Sequence, residues 1–206
     1  MDSKKINPHF LKKTNPRVGL IVLATEAMSD KDFLKVFSRV PADLYVNRIT
    51  NYNPVTAENL KKMTNKITCV TENILPGERI DCIVYGCTSG TIVSGYDNIK
   101  KKINIAKPDA LVTAPSTAAL NALKKKNINK ISIVTPYIKS VNDDVVNFFK
   151  NNNFEVTSNT YFDIQSDIDI GRVDQDQLFK ILSNIDHKDA EALFVSCTSL
   201  PVLNII

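Results

Sequence analysis

Hydrophobic residues along the chain fall into short runs rich in Val and Ile, each bounded by turn-forming residues. Seven runs read as strands: Val18–Leu23, Asp43–Ile49, Cys82–Tyr85, Ala110–Ala114, Ile131–Thr135, Phe154–Thr160 and Ala192–Ser196. Their apolar residues tend to be continuous rather than alternating, the mark of strands covered on both faces. Helical stretches lie between them, among them Ser29–Ser38, Thr56–Ile74, Ser116–Lys125 and Ser140–Asn151. Ser29, Thr56, Ser116 and Ser140 are placed to cap these helices, because a side-chain oxygen there can accept one of the free N–H groups of the first turn. Strand–helix alternation of this kind predicts an α/β fold with parallel sheets and right-handed crossovers.

The pattern repeats itself. Gly86-Cys87-Thr88-Ser89 returns as Ser196-Cys197-Thr198-Ser199, each directly after an apolar strand, at a spacing of 110 residues. The same spacing takes Leu44-Tyr45-Val46 onto Phe154-Glu155-Val156, and brings Gly19-Leu20-Ile21-Val22 to within a few residues of Ile131-Ser132-Ile133-Val134. A long repeat that keeps element order points to duplicated units. The expectation is a polar tail over residues 1–16, one α/β domain over 17–125 and a similar one over 126–206, related by a pseudo-dyad with the active site between them. The segment Ala110 to Leu120 finds no counterpart before the last residue, so the second domain is expected to be incomplete relative to the first.

Composition narrows the function. Hydrophobic residues make up 43% and charged residues 23%, ordinary for a globular protein, with a net charge of +4. The Lys runs at 61–62, 100–102 and 124–126 sit at polar faces or ends of expected helices, with no aromatic residues interleaved, so no nucleic-acid partner is expected. No apolar stretch approaches the roughly 20 residues of a membrane span, and the basic N-terminus lacks a signal-peptide core; a cytoplasmic protein without membrane contact is expected. The two histidines, His9 and His187, stand apart in polar surroundings and predict no metal site. Neither a GxGxxG nor a GxxxxGK[ST] motif is present, and no cofactor is expected.

Candidate chemistry concentrates at the two Cys-Thr-Ser motifs. In open parallel sheets ligands bind beyond the carboxyl ends of strands, where both motifs fall. Thr88, Ser89 and Gly90 would begin a helix whose N-terminus lowers the pKa of Cys87 and offers free N–H groups to an anion. Two thiols facing one small acid could divide the labour, one as thiolate base or nucleophile and the other as acid. A cysteine after a buried strand is more often only a small apolar residue; that bland assignment is given to Cys69 and Cys82.

The combination of Gly19-Leu-Ile-Val22, Tyr85-Gly-Cys-Thr-Ser-Gly-Thr91, Val134-Thr-Pro-Tyr137 and Ser196-Cys-Thr-Ser-Leu-Pro201 resembles the aspartate/glutamate racemase superfamily. The closer resemblance is to the branch of maleate cis-trans isomerase, arylmalonate decarboxylase and the ectoine-utilisation protein. The resemblance implies that Cys87 and Cys197 are the catalytic pair, the first attacking an alkene carbon and the second handling the proton, and that Tyr137 binds a substrate carboxylate. Substrate-binding roles are also expected for Thr88, Ser89, Thr198 and Ser199, at the small oxyanion pocket of each motif, and for Thr25. Because arylmalonate decarboxylase keeps only the second cysteine, Cys87 speaks against decarboxylation. Glu26 and Asp167 stand where the maleate enzyme has amides, which would weaken binding of a dianion and suit a substrate carrying an amine or amidine. The segment from Arg48 to Leu60 is similar to the ectoine-utilisation branch; Arg48 either holds a carboxylate or makes a surface ion pair.

The expected function is therefore a cofactor-independent isomerase or racemase of a small carboxylic acid, with a place in ectoine utilisation. Amino-acid racemisation of the aspartate/glutamate type, decarboxylation and a non-catalytic ligand-binding role are the alternatives. Assembly as a homo-oligomer is left open.

Overall fold

Leu20, Ile21 and Val22 have no exposed surface, which places their strand in the middle of a sheet with both faces covered. In the computed structural model, which describes residues 3–10 and 15–206, this strand is β1 (Arg17–Leu23). It pairs in parallel with β2 (Asp43–Ile49) on one side and β3 (Cys82–Tyr85) on the other, and β3 pairs with β4 (Leu111–Thr113). Of the polar tail expected at 1–16, positions 1–2 and 11–14 lie outside the described residues.

A second parallel sheet repeats this plan. Its central strand β5 (Lys130–Thr135) buries Ile131, Ile133 and Val134 completely, and lies between β6 (Glu155–Tyr161) and β7 (Ala192–Val195). The strand orders, β2-β1-β3-β4 and β6-β5-β7, superpose β1 on β5, β2 on β6 and β3 on β7. The sequence repeat thus corresponds to two like-wound α/β units, with no strand equivalent to β4 beside β7 among the described residues.

The connecting helices are α1 (Ser29–Phe37), α2 (Ala57–Met63), α3 (Ile67–Glu72), α4 (Thr88–Ser94), α5 (Tyr96–Ala106), α6 (Pro115–Lys125), α7 (Lys139–Asn151), α8 (Asp167–Ile170) and α9 (Gln175–Asn184). The single helix expected over Thr56–Ile74 is broken by a 3₁₀ turn at Thr64–Lys66, where the Thr64 hydroxyl donates to the Lys61 carbonyl. Of the four expected caps only Thr56 acts as one, accepting from Asn59 N at 3.3 Å. At α1 the Glu26 carboxylate takes that role, accepting from the N–H groups of Met28 and Ser29 at 2.6 and 2.7 Å. Thr117 reaches back to Ala114 N at the start of α6, and Ser116 and Ser140 sit one residue inside their helices.

The two units meet through hydrogen bonds as well as packing. Val55 N donates to the Gln165 carbonyl at 2.9 Å, and the Thr198 hydroxyl donates to the Gly86 carbonyl at 2.9 Å. These bonds bring the carboxyl ends of β3 and β7 to one place. No helix of the described residues is long and apolar enough to cross a membrane.

Candidate active site

At the end of β3 the ladder continues one residue further, Gly86 N donating to the Ile21 carbonyl at 2.8 Å. Cys87 then takes the cap position of α4 with extended backbone, and its Sγ accepts from Gly90 N at 3.3 Å. A side chain at position 90 would collide with this arrangement: a Cβ would lie 2.8 Å from the sulfur and 3.2 Å from the Tyr85 hydroxyl oxygen. Gly90 is what lets the thiol sit over the first turn.

β7 ends in the same way, with Ser196 N donating to the Val134 carbonyl at 2.8 Å. Cys197 then departs from its counterpart, taking φ +88°, a left-handed conformation that costs a non-glycine residue on the order of 1–3 kcal/mol. A turn follows, not a helix. Tyr137, buried just beyond β5, takes a hydrogen bond from Ser196 Oγ at 3.4 Å, and its hydroxyl and the Ser199 N–H favour the thiolate form of Cys197.

Asp167 joins the units. Its carboxylate is buried and accepts from Thr25 Oγ1 and from Ser199 Oγ, both at 2.7 Å. Asn51 orients this relay: its Oδ1 takes the Thr25 N–H at 3.4 Å, which leaves its Nδ2 to donate to Thr25 Oγ1 at 2.7 Å.

These residues line one small cleft. Cys87, Thr88, Ser89, Tyr137, Asp167, Cys197, Thr198 and Ser199 face it over an apolar floor that includes Leu60 and Met63. Three expected site residues do not line it. Thr25 acts from behind, through Asp167. Glu26 is turned into the protein as the cap of α1, and its Oε2 has no hydrogen-bond partner. Arg48 is a correction to the carboxylate-holding role: its guanidinium donates to the carbonyls of Leu23 and Glu26 and pairs with Asp30 at 2.8 Å, so the surface ion pair prevails. Asn51 and Asn59 do line the cleft, and no sequence motif marks them; both lie in the segment from Arg48 to Leu60, whose resemblance assigns them no role.

The electrostatics also correct the expectation of a ready thiolate. Burial pushes Cys87 up to about 12; the Gly90 N–H opposes this, but Asp167 and Glu26 add to it. Burial, then Asp167, pushes Cys197 up to about 12 as well, against the hydrogen bonds from Tyr137 and Ser199. The helix start is real but loses to desolvation and two carboxylates. Cys82 is half-buried at the start of β3, whereas Cys69 is exposed rather than packed. His187 is engaged with Ser132 Oγ and the Leu182 carbonyl, and the described residues hold no group of three or more His, Cys, Asp or Glu arranged to bind a metal ion.

Two like α/β units with a cysteine-lined cleft at their junction define the class of fold seen in the aspartate/glutamate racemase superfamily. The family model of arylmalonate decarboxylase matches residues 91–206. The chain belongs to that family. It is 27% identical over 158 residues to a maleate isomerase of Geobacillus stearothermophilus, covering 72% of this chain and 62% of that protein, so it spans less than two thirds of that relative's length. The fold matches the maleate cis-trans isomerase of Nocardia farcinica, a mutant with a covalently bound succinylcysteine intermediate, at a TM-score of 0.83 and 19% identity over 92% of this chain and 81% of that one. It also matches a liganded double mutant of arylmalonate decarboxylase at a TM-score of 0.78 and 18% identity over 93% and 82%.

Proposed function

We propose that this chain is a cofactor-independent isomerase or racemase of a small carboxylic acid, working through Cys87 and Cys197. The observation behind this reading is that both thiols, one from each side of a division we place between residues 125 and 126, line the same small cleft. One cysteine as thiolate takes a proton from carbon on one face of the acid, and the other as thiol returns a proton on the opposite face. The pair ends with its protonation exchanged and no net change of charge. Thr88, Ser89 and Tyr137 supply hydroxyl donors for the carboxylate, while the Thr198 hydroxyl is engaged with the Gly86 carbonyl. A cytoplasmic enzyme is part of the proposal. Arg48 is tied to Asp30, so the resemblance to the ectoine-utilisation branch contributes no carboxylate holder to the cleft.

The succinylcysteine carried by the Nocardia protein supports a cysteine that can act on a small acid in this fold. Decarboxylation is the second reading, favoured by the description of the matching family; the presence of two thiols favours proton transfer between faces. Incubation with a panel of small acids in deuterated water separates them. Deuterium in recovered acid that is otherwise unchanged, or a changed isomer, is the expected result. Release of carbon dioxide with one deuteron in the product replaces this reading by decarboxylation, and no isotope uptake into any acid overturns both.

A further inference from the structure

We propose that Tyr85 is a positioning residue for Cys87: its phenol reaches the thiol from inside the protein and donates its O–H to the sulfur when the sulfur carries negative charge. This deepens the proposed isomerase reading and rests on that reading for Cys87 as a reacting group.

Tyr85 closes β3, two residues before Cys87, and has no exposed surface. It is not among the residues that line the cleft, so its hydroxyl serves no ligand there directly. That hydroxyl makes no hydrogen bond among the described residues. A buried donor without an acceptor is a standing cost, one that phenylalanine at the same place would avoid, since packing of the ring needs no oxygen. The oxygen lies close to the reactive sulfur. A Cβ built on Gly90 would lie 2.8 Å from Cys87 Sγ and 3.2 Å from the Tyr85 hydroxyl oxygen, so both atoms border the same small space over the first turn of α4. The other atom at that point, Met63 Cε at 3.1 Å, is a methyl carbon and cannot accept the proton. Burial, and after it the neighbouring Cys87, pushes Tyr85 well above the ordinary phenol value, so the oxygen keeps its proton to donate.

The sulfur needs such a donor. Burial, Asp167 and Glu26 all oppose a thiolate at Cys87; in its favour stand the Gly90 N–H at 3.3 Å and the Ser89 hydroxyl at a loose 3.9 Å. Ser89 also lines the cleft, where a bound acid competes for its proton. With no acceptor of its own, the Tyr85 O–H is free to turn towards charge on the sulfur, and an oriented O–H in a dry interior is worth more than in water. The second unit offers a parallel. Val195 stands two residues before Cys197, where the first unit has Tyr85, and there the phenol that favours the thiolate is Tyr137, from beyond β5. Each thiol thus has one buried phenol, supplied from a different strand.

Tyr85→Phe keeps the ring and removes only the oxygen. Wild type, Tyr85→Phe and a packing control, Ile83→Val, which trims a neighbour two residues back on the same face of β3, are alkylated with iodoacetamide at pH 8. Modification is followed by peptide mass mapping, with Cys197 as the internal reference. The expected result is that Tyr85→Phe slows Cys87 relative to Cys197 by on the order of fivefold, less than the loss of thiolate because a more basic thiolate is also a better nucleophile. The urea midpoint of Tyr85→Phe should equal or exceed that of wild type, and Ile83→Val should lower it without moving the labelling ratio. An unchanged ratio in Tyr85→Phe overturns the inference. So does a fall of the same size in Ile83→Val, a loss of stability in Tyr85→Phe, or a wild-type Cys87 that does not react at all. Isotope uptake into an acid by the wild type, together with an unchanged labelling ratio, would leave the isomerase reading standing and this one gone. A slowed Cys87 with no isotope uptake into any acid would do the opposite.

Discussion

The same tripeptide, Cys-Thr-Ser, ends β3 and β7, and the chain presents the two thiols by different means. At the first site Thr91 N donates to the Cys87 carbonyl at 3.1 Å, closing the first helical turn of α4. The residue at the matching place in the second copy is Pro201, which has no N–H to give and disfavours helical backbone at Leu200 before it. The second copy therefore cannot start a helix. Cys197 is swung into a left-handed conformation, and the Tyr137 hydroxyl and the Ser199 N–H, instead of a helix start, are what favour its thiolate. Duplication preserved the reactive atom and its place at the strand end, and left its mounting free to diverge.

The strongest way to break the comparison is to remove one sulfur at a time. Cys87→Ser and Cys197→Ser should each lower isotope exchange by on the order of 10³-fold, since acid–base and nucleophilic roles lost singly cost about that much. Melting temperatures should stay close to wild type. Substantial exchange in either variant ends the idea that the two mounts serve one reaction.

The residue after each tripeptide, Gly90 or Leu200, sharpens the contrast. Leu200 is 2% exposed, and Leu200→Ala should cost about 2–5 kcal/mol in urea denaturation through the cavity it leaves. Gly90→Ala should cost about 1–3 kcal/mol for the opposite reason, overpacking against Cys87, Met63 and Tyr85. It should also shift the labelling rate of Cys87 while leaving that of Cys197 unchanged. Equal effects on both thiols would mean that the two mounts are not independent.

Alkaline pH probes what the mounts share. Both thiols are raised from the ordinary value near 9 to about 12, so between these values the folded state keeps protons that the unfolded chain has lost. Stability is unaffected by these groups below about pH 9 and falls as pH rises from there towards 12. Urea midpoints measured at pH 8 and pH 10.5 should show this fall, and the Cys87→Ser/Cys197→Ser double variant should flatten it. A fall of the same size in the double variant assigns the alkaline sensitivity to other groups.

The smallest expected effect is a gain. Cys197→Gly relieves a left-handed residue of its Cβ and should raise stability by up to about 1 kcal/mol in the same denaturation assay, while abolishing exchange. Cys87→Gly should bring no such gain, because Cys87 already has an extended backbone and caps α4.

Much of this was legible in the residues. Continuous apolar runs located all seven strands, two of them, Asp43–Ile49 and Cys82–Tyr85, with the observed bounds. For the central strands β1 and β5 the runs sufficed because strands buried on both faces need such sequences and little else does over so short a length. Helix starts were read less well: a Ser in the right neighbourhood was preferred, yet Glu26 and Thr117 took the donors at α1 and α6 because their longer reach or neighbouring turn met the free N–H groups.

What the sequence determined by itself is local or repetitive: strand positions, the doubled motif, the helix after Cys87 and its exclusion after Cys197 by Pro201. Each follows from backbone geometry within a few residues. Only the tertiary structure decided which polar groups meet across the two units. It brought Thr25 and Ser199 onto Asp167 from residues 142 and 32 positions away, turned Glu26 inward, and tied Arg48 to Asp30. It also reversed the sign expected for the thiols, because desolvation and the field of a distant carboxylate depend on how the chain packs, which no stretch of neighbouring residues encodes.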